Sequence, residues 1–280
     1  MAATGSERRI AVVTGASAGI GLYTALGLAR AGLHVVMTGR NPARTEAARR
    51  FVAERASGAE PETLLADFAS LAEVRRLAAE ILAKHDRLDV LVNNAGLFTP
   101  HRETSADGFE MTFAVNHLAP FLLTNLLLDR LKASAPSRIV TVASEAHRRA
   151  HLNFDRLGRS GGGLPGYSRS KLCNILFTRE LARRLAGTGV VATCLHPGTV
   201  ATDIAQKGFL PSLFWTLGKP FMISVPKGAE TSIFLATVPD PKPFAGEYVA
   251  KKRVIRTTAA GRDDAAARRL WDESARMAGL

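Results

Sequence analysis

Short runs of apolar, often β-branched residues alternate with longer stretches of helical spacing, and this alternation confines the fold more than any other feature of the chain. Ile10–Val13, His34–Thr38, Thr63–Ala66, Leu88–Val92, Arg138–Val142, Val190–Leu195 and Gly246–Ala250 read as strands. Helical periodicity fills the gaps at Ile20–Ala31, Glu46–Arg55 with Pro42 in the first turn, Leu71–Lys84, Gly108–Leu131 and Tyr167–Leu185, and Ala265–Met277 closes the chain. The expectation is a single α/β domain over residues 1–280, a doubly wound parallel sheet covered by helices on both faces.

Composition agrees with that reading. Of 280 residues, 46 % are hydrophobic and 22 % charged, enough apolar material for a large core. Residues 1–7 are small and polar, a flexible N-terminus with no apolar stretch, so no secretory signal is expected. The most apolar run, Leu118–Leu128, contains Pro120, Thr124 and Asn125 and falls short of the roughly 20 residues that span a bilayer. Cys173 and Cys194 sit in apolar segments, as reduced core residues of a cytoplasmic protein would. The net charge of +12 is spread over helical faces, with one cluster at Lys251, Lys252 and Arg253. No nucleic-acid-reading motif accompanies it, so a solvated basic surface is expected, with peripheral contact to anionic membranes as an open alternative and no nucleic-acid partner. Residues 203–225 interrupt the alternation with Phe209, Leu213, Phe214, Trp215 and Phe221 among Pro and Gly, which reads as an apolar lid over a substrate.

Every feature with chemical promise follows a strand, where ligands of open α/β sheets bind. After the first strand, Gly15, Ser17, Gly19, Ile20 and Gly21 turn into a helix, and glycines there let backbone N–H groups approach a pyrophosphate. The second strand ends in Gly39, Arg40 and Asn41, without the acidic residue that usually accepts ribose hydroxyls in NAD-binding units, and Arg40 and Asn41 are expected to contact the cofactor. A guanidinium there can clasp a 2′-phosphate in bidentate fashion, so NADP(H) is the expected cofactor. Asp67 and Phe68 are placed to bracket the adenine, and the backbone of Asn94, Ala95 and Gly96 to approach the adenosine ribose.

Tyr167 and Lys171 stand four residues apart on one helix face, 23 residues beyond Ser144. An ammonium about 5 Å from a phenol, at an effective dielectric near 20, is worth roughly 3 kcal/mol, about two pKa units, and brings the phenol toward general acid/base range. His117, His147, His151 and His196 lack metal-ligand spacing with neighbouring acids or cysteines, so no metal is expected, and His147 and His151 are expected in a solvated loop.

Taken as a set, Thr14 to Gly21, Asn93 to Gly96, Asn116, Ser144, Tyr167, Lys171, Pro197, Gly198 and Thr202 resemble the short-chain dehydrogenase/reductase family in order and spacing, over roughly Arg8 to Ala250. Asp107–His117 and Tyr167–Glu180 are particularly similar to its retinol dehydrogenase branch. The resemblance implies a Rossmann-like fold and an oxidoreductase acting on CH–OH groups. It implies four catalytic residues: Tyr167 as acid/base, Ser144 holding the substrate oxygen, Lys171 tuning the phenol and binding the nicotinamide ribose, and Asn116 holding a water that joins Lys171 to solvent, with Tyr167 and Lys171 also among the cofactor contacts. Pro197, Gly198 and Thr202 would continue the nicotinamide pocket. A lipophilic carbonyl or alcohol, retinal/retinol-like, is the implied substrate, and a homodimer or homotetramer the implied assembly, through the helices from Gly108 and Tyr167. Alternatives are reduction of another ketone or lipid-derived aldehyde, and a non-catalytic NADP(H)-binding sensor.

Overall fold

The computed structural model describes residues 8–56, 60–159, 161–198 and 223–280. Strands β1 (Ile10–Val13), β2 (His34–Gly39), β3 (Glu62–Leu65), β4 (Val90–Asn93), β5 (Ser137–Val142), β6 (Val190–Leu195), β7 (Tyr248–Ala250) and β8 (Arg253–Val254) form one sheet in the order β3-β2-β1-β4-β5-β6-β7-β8. Pairing is parallel throughout except for the last pair, β7 with β8. The chain winds outward from β1 to β3, then returns and winds the other way from β4. This reversal opens a crevice beyond the ends of β1 and β4, where such sheets bind ligands.

Alternate strand residues supply two cores. Val12, Leu91, Ile139 and Ala192 face helices α3 (Leu71–Lys84), α4 (Met111–Ala133), α5 (Gly163–Arg184) and α7 (Asp264–Ala278). Ala11, Val13, Val92 and Val140 face α1 (Gly19–Arg30), α2 (Pro42–Arg55) and α6 (Val225–Thr237). Gly27 lets α1 and α6 approach closely, since a Cβ there would stand 2.3 Å from Ile233 Cδ1. Helix α4 is long and apolar enough to cross a bilayer, yet most of it is buried in the first core. Trp271 of α7 packs on Phe121 of α4 at 5.0 Å and Phe177 of α5 at 5.9 Å, so α7 covers part of the face expected to join subunits.

The boundaries depart from expectation where side chains intervene. Gly108 turns the chain at φ +82, and the Glu110 carboxylate accepts from the N–H groups of Thr112 and Phe113 at 3.0 and 2.9 Å, so α4 starts at Met111. Helix α5 begins at Gly163, a turn before Tyr167, which places Tyr167 inside a regular helix. Lys251 and Lys252, at φ 47 and 63, form the two-residue turn between β7 and β8, so the basic cluster is a hairpin that composition alone did not suggest. Of the expected lid, residues 203–222 lie outside the described residues, and Val225 opens α6.

Candidate active site

A cavity of about 1260 Å³ runs along the ends of β1, β2, β4, β5 and β6. At one end, Thr14 fastens the glycine loop to the turn after β4. Its hydroxyl donates to the Val92 carbonyl at 3.2 Å and accepts from the N–H groups of Asn94 and Ala95, both at 3.0 Å. The Asn94 amide donates back to the carbonyls of Thr14 and Gly15 at 2.8 and 3.2 Å. Thus the Asn94 side chain braces two loops that line the cavity, a role its position in a turn did not announce.

Whether this end suits a dinucleotide is decided by backbone. Gly15 and Gly19 adopt φ +65 and +59, and a Cβ on Gly15 would come within 2.8 Å of the Ala95 Cα. Ala18 offers α1 no capping side chain, and the first turn carries no acid, so the positive helix end meets the cavity wall uncompensated. A pyrophosphate fits those features. Arg40 is exposed and lines the same cavity beside Thr38 and Gly39, as do Asp67 and Phe68 beyond β3. Asp67 Oδ1 accepts from the Ala69 N–H at 3.0 Å. Asn41 does not line the cavity; its side chain caps α2 by accepting from the Arg44 N–H at 2.9 Å.

At the other end lie Ser144, Tyr167 and Lys171, brought together by the close of β5 and the second turn of α5. Tyr167 and Ser144 line the cavity together, and the Tyr167 ring meets Phe98 edge-on at 6.0 Å. Ser144 also caps the short 3₁₀ helix Glu145–Arg149, accepting from the Ala146 N–H at 3.2 Å. Lys171 is buried, donates to the Val142 carbonyl at 2.9 Å and stands 5.6 Å from the centre of the Tyr167 ring. Burial pushes the Lys171 ammonium down to about 8. It also raises the Tyr167 phenol above its ordinary value, with the Ser144 hydrogen bond acting the other way. The expected lowering of the phenol is therefore absent, because burial disfavours both charged forms.

Asn116 occupies a π turn, Ala114–Leu118, within α4. Its Oδ1 accepts from the Leu97 N–H at 2.7 Å, and its Nδ2 donates to the Leu97 carbonyl and the Ser170 hydroxyl, both at 3.0 Å. Ser170 in turn donates to the Tyr167 carbonyl at 2.8 Å. Asn116 is fully buried and locks the β4 turn to the tyrosine helix, with Gly96 lying between it and Lys171: a Cβ there would meet Asn116 Oδ1 at 3.2 Å and Lys171 Nζ at 3.5 Å. Ser170 escaped the sequence reading, though its place three residues after Tyr167 puts it on the same helix side.

Pro197 and Gly198 line the cavity after β6, with the Gly198 N–H donating to His196 Nδ1 at 3.1 Å. Thr202 lies outside the described residues. His147 corrects the solvated-loop expectation. It is fully buried, its Nδ1 pairs with the Ser144 carbonyl at 2.7 Å, and its Nε2 pairs with the Thr257 hydroxyl at 2.8 Å. The segment after β8 thus covers it, whereas His151 is exposed as expected. Glu145 receives the Tyr248 hydroxyl and faces His196 Nε2, each at 3.3 Å, tying β7 to the loop that carries Pro197.

The family model described as short chain dehydrogenase matches residues 9–210. The chain belongs to the short-chain dehydrogenase/reductase family. This short-chain dehydrogenase is 45 % identical over 289 residues to Homo sapiens Retinol dehydrogenase 14, covering 96 % of this chain and 86 % of that one. It is 43 % identical over 279 residues to Bos taurus Dehydrogenase/reductase SDR family member 13, covering 97 % and 74 %. Among solved structures, a protein from Mycobacterium Paratuberculosis matches with a TM-score of 0.79 at 33 % identity, covering 97 % of this chain and 94 % of that one. A structure described as an NAD(P) dependent gluconate 5-dehydrogenase from Beutenbergia cavernae, with bound NADP at low occupancy, matches with a TM-score of 0.70 at 30 % identity, covering 86 % and 94 %. The short-chain dehydrogenase is an oxidoreductase of a family that uses NAD(P).

Proposed function

We propose that this oxidoreductase uses NADP(H) and transfers a hydride between the nicotinamide and a lipophilic carbonyl or alcohol, with retinal/retinol-like compounds as the first substrates to test. One observation carries the reading: Ser144, Tyr167 and Lys171 line the same cavity as the uncapped glycine loop and Arg40. The relatives named retinol dehydrogenases support the substrate class, and the NADP-bound neighbour supports the cofactor.

The glycine loop, Asp67, the Asn94–Gly96 backbone, Lys171, Pro197, Gly198 and Thr202 would hold the dinucleotide, and Arg40 its 2′-phosphate. When bound, NADP(H) supplies or takes up the hydride. Ser144 donates to the substrate oxygen and orients it. Tyr167 gives that oxygen a proton in reduction and removes it in oxidation. Lys171 lends positive charge beside the phenol, offsetting the cost of burying the phenolate. Asn116 positions the Tyr167 helix through Ser170. Phe98, Leu164 and Val225 give the wall an apolar character that suits a lipophilic substrate. Glu103, Arg148 and Arg149 also line the cavity and favour a second reading, a lipid-derived aldehyde or ketone with a polar end.

The test is absorbance at 340 nm with NADPH or NADH and a panel of aldehydes and ketones including retinal. Turnover with NADPH that disappears in Tyr167→Phe supports the reading. NADPH binding without turnover across a broad panel would favour a nucleotide sensor.

A further inference from the structure

At the opposite end of the sheet, far from the catalytic cavity, three side chains from separate elements converge. His34 opens β2, Glu62 opens β3, and His85 follows the last turn of α3. One donor atom from each of His34, Glu62 and His85 lies within 4.8 Å of the other two. We propose that these three atoms form a binding site for a divalent transition-metal ion such as zinc, clipping the edge strand β3 to β2 and α3.

The donor set suits the ion, because two imidazoles and a carboxylate are a common zinc complement with an open fourth position. Spacing fits as well. Glu62 Oε2 stands 3.0 Å from His85 Nε2 and 3.7 Å from His34 Nε2. Donors held about 2.0–2.1 Å from a tetrahedral ion lie roughly 3.3–3.4 Å apart, so the two separations bracket that edge.

The pairing of His85 points the same way. Its side chain is only 10 % exposed, and among the described residues Nε2 has no hydrogen-bond partner despite the nearby oxygen, so the two atoms are close without being directed at each other. That is the relation of two ligands of one ion, and a buried ring nitrogen otherwise left unpaired is costly. Lys84 Nζ donates to Glu62 Oε1 at 2.8 Å, orienting the carboxylate while leaving Oε2 for the ion, and its charge is shared with Glu80 at 3.2 Å. His34 and Glu62 are 28 % and 24 % exposed, which leaves water access for the fourth position.

The test uses tag-free full-length protein, stripped with EDTA and titrated with zinc chloride by calorimetry at pH 7.5. One zinc per chain is expected, with a higher melting midpoint. His34→Gln and Glu62→Gln should each weaken affinity about tenfold or more. Absence of binding heat, or wild-type affinity in both variants, would overturn the site. Zinc-soaked crystals of the wild type provide a check independent of variant folding. An anomalous peak about 2.0–2.2 Å from the three donor atoms supports the proposal, and its absence there refutes it.

Discussion

Lys171 donates to the carbonyl of Val142, the last residue of β5, at 2.9 Å, and Asn174 shares that acceptor at 3.3 Å. The lysine can therefore be removed without orphaning the carbonyl. Its folded pKa of about 8 lies below the ordinary 10.5. Below pH 8 both states hold the proton and the cost of burying it is fully present. Between pH 8 and 10.5 the folded protein has released a proton that the unfolded chain keeps, and stability rises. Lys171→Met should thus melt several degrees higher than wild type at pH 7, by an advantage of about 3 kcal/mol at most, while losing turnover. Melting curves from pH 6 to 10.5 should show that advantage shrinking above pH 8. A variant melting lower at pH 7 would contradict the buried-charge account.

Tyr167→Phe keeps the ring that meets Phe98 at 6.0 Å and removes only the hydroxyl. Turnover should fall at least about a hundredfold, as for loss of a general acid. NADPH affinity, read by quenching of tryptophan fluorescence, should change less than about threefold, because the phenol acts on the substrate oxygen. Equal losses in both would make the tyrosine a binding residue instead. Ser144→Ala is the less clean probe, since Ser144 also caps the 3₁₀ turn.

How much of this was readable beforehand follows the range of each interaction. Strand and helix order was legible because periodicity is local, and the Tyr167–Lys171 pair because four residues of helix bring the side chains to one face. The glycine loop declared itself through residue type. Asn41 was ambiguous, since the same amide suits a ribose and a helix cap, and the chain uses it on Arg44. The burial of His147 under Thr257 spans 110 residues, and the meeting of His34 with Glu62 and His85 needs the parallel register of β2 and β3. Neither leaves a local signal. The phenol shift was misjudged because charge was weighed without the burial that opposes it.

Arg40 is exposed at the cavity rim, where no carboxylate stands after β2. A charge-assisted contact to a 2′-phosphate contributes about 1.5–3 kcal/mol, roughly ten- to a hundredfold. Arg40→Asp should raise KM for NADPH by that factor while leaving KM for NADH unchanged or lower, with little change in melting temperature. Steady-state kinetics with both cofactors decides it. Parallel losses for the two would place Arg40 away from the distinguishing phosphate.

His117 lies in the first core among Phe113, Phe121 and Phe177, with Nε2 paired to the Ser274 hydroxyl at 2.9 Å. Burial drives its pKa down to about 3, with Asn174 acting in the other direction. Above pH 6.5 both folded and unfolded forms are neutral and its full contribution is present. As pH falls from 6.5 toward 3 the unfolded chain takes up a proton that the folded core refuses, and stability drops by about 1.4 kcal/mol per pH unit from this group. His117→Gln keeps a partner for Ser274 but cannot titrate. It should begin less stable at pH 7, through lost ring contacts, yet lose stability less steeply below pH 6. Urea unfolding at pH 7, 6, 5 and 4 measures both slopes, and the remaining histidines and carboxylates are common to the two proteins and cancel. Parallel slopes would mean that the core admits the proton, with water or a rearranged Asn174 reaching the ring.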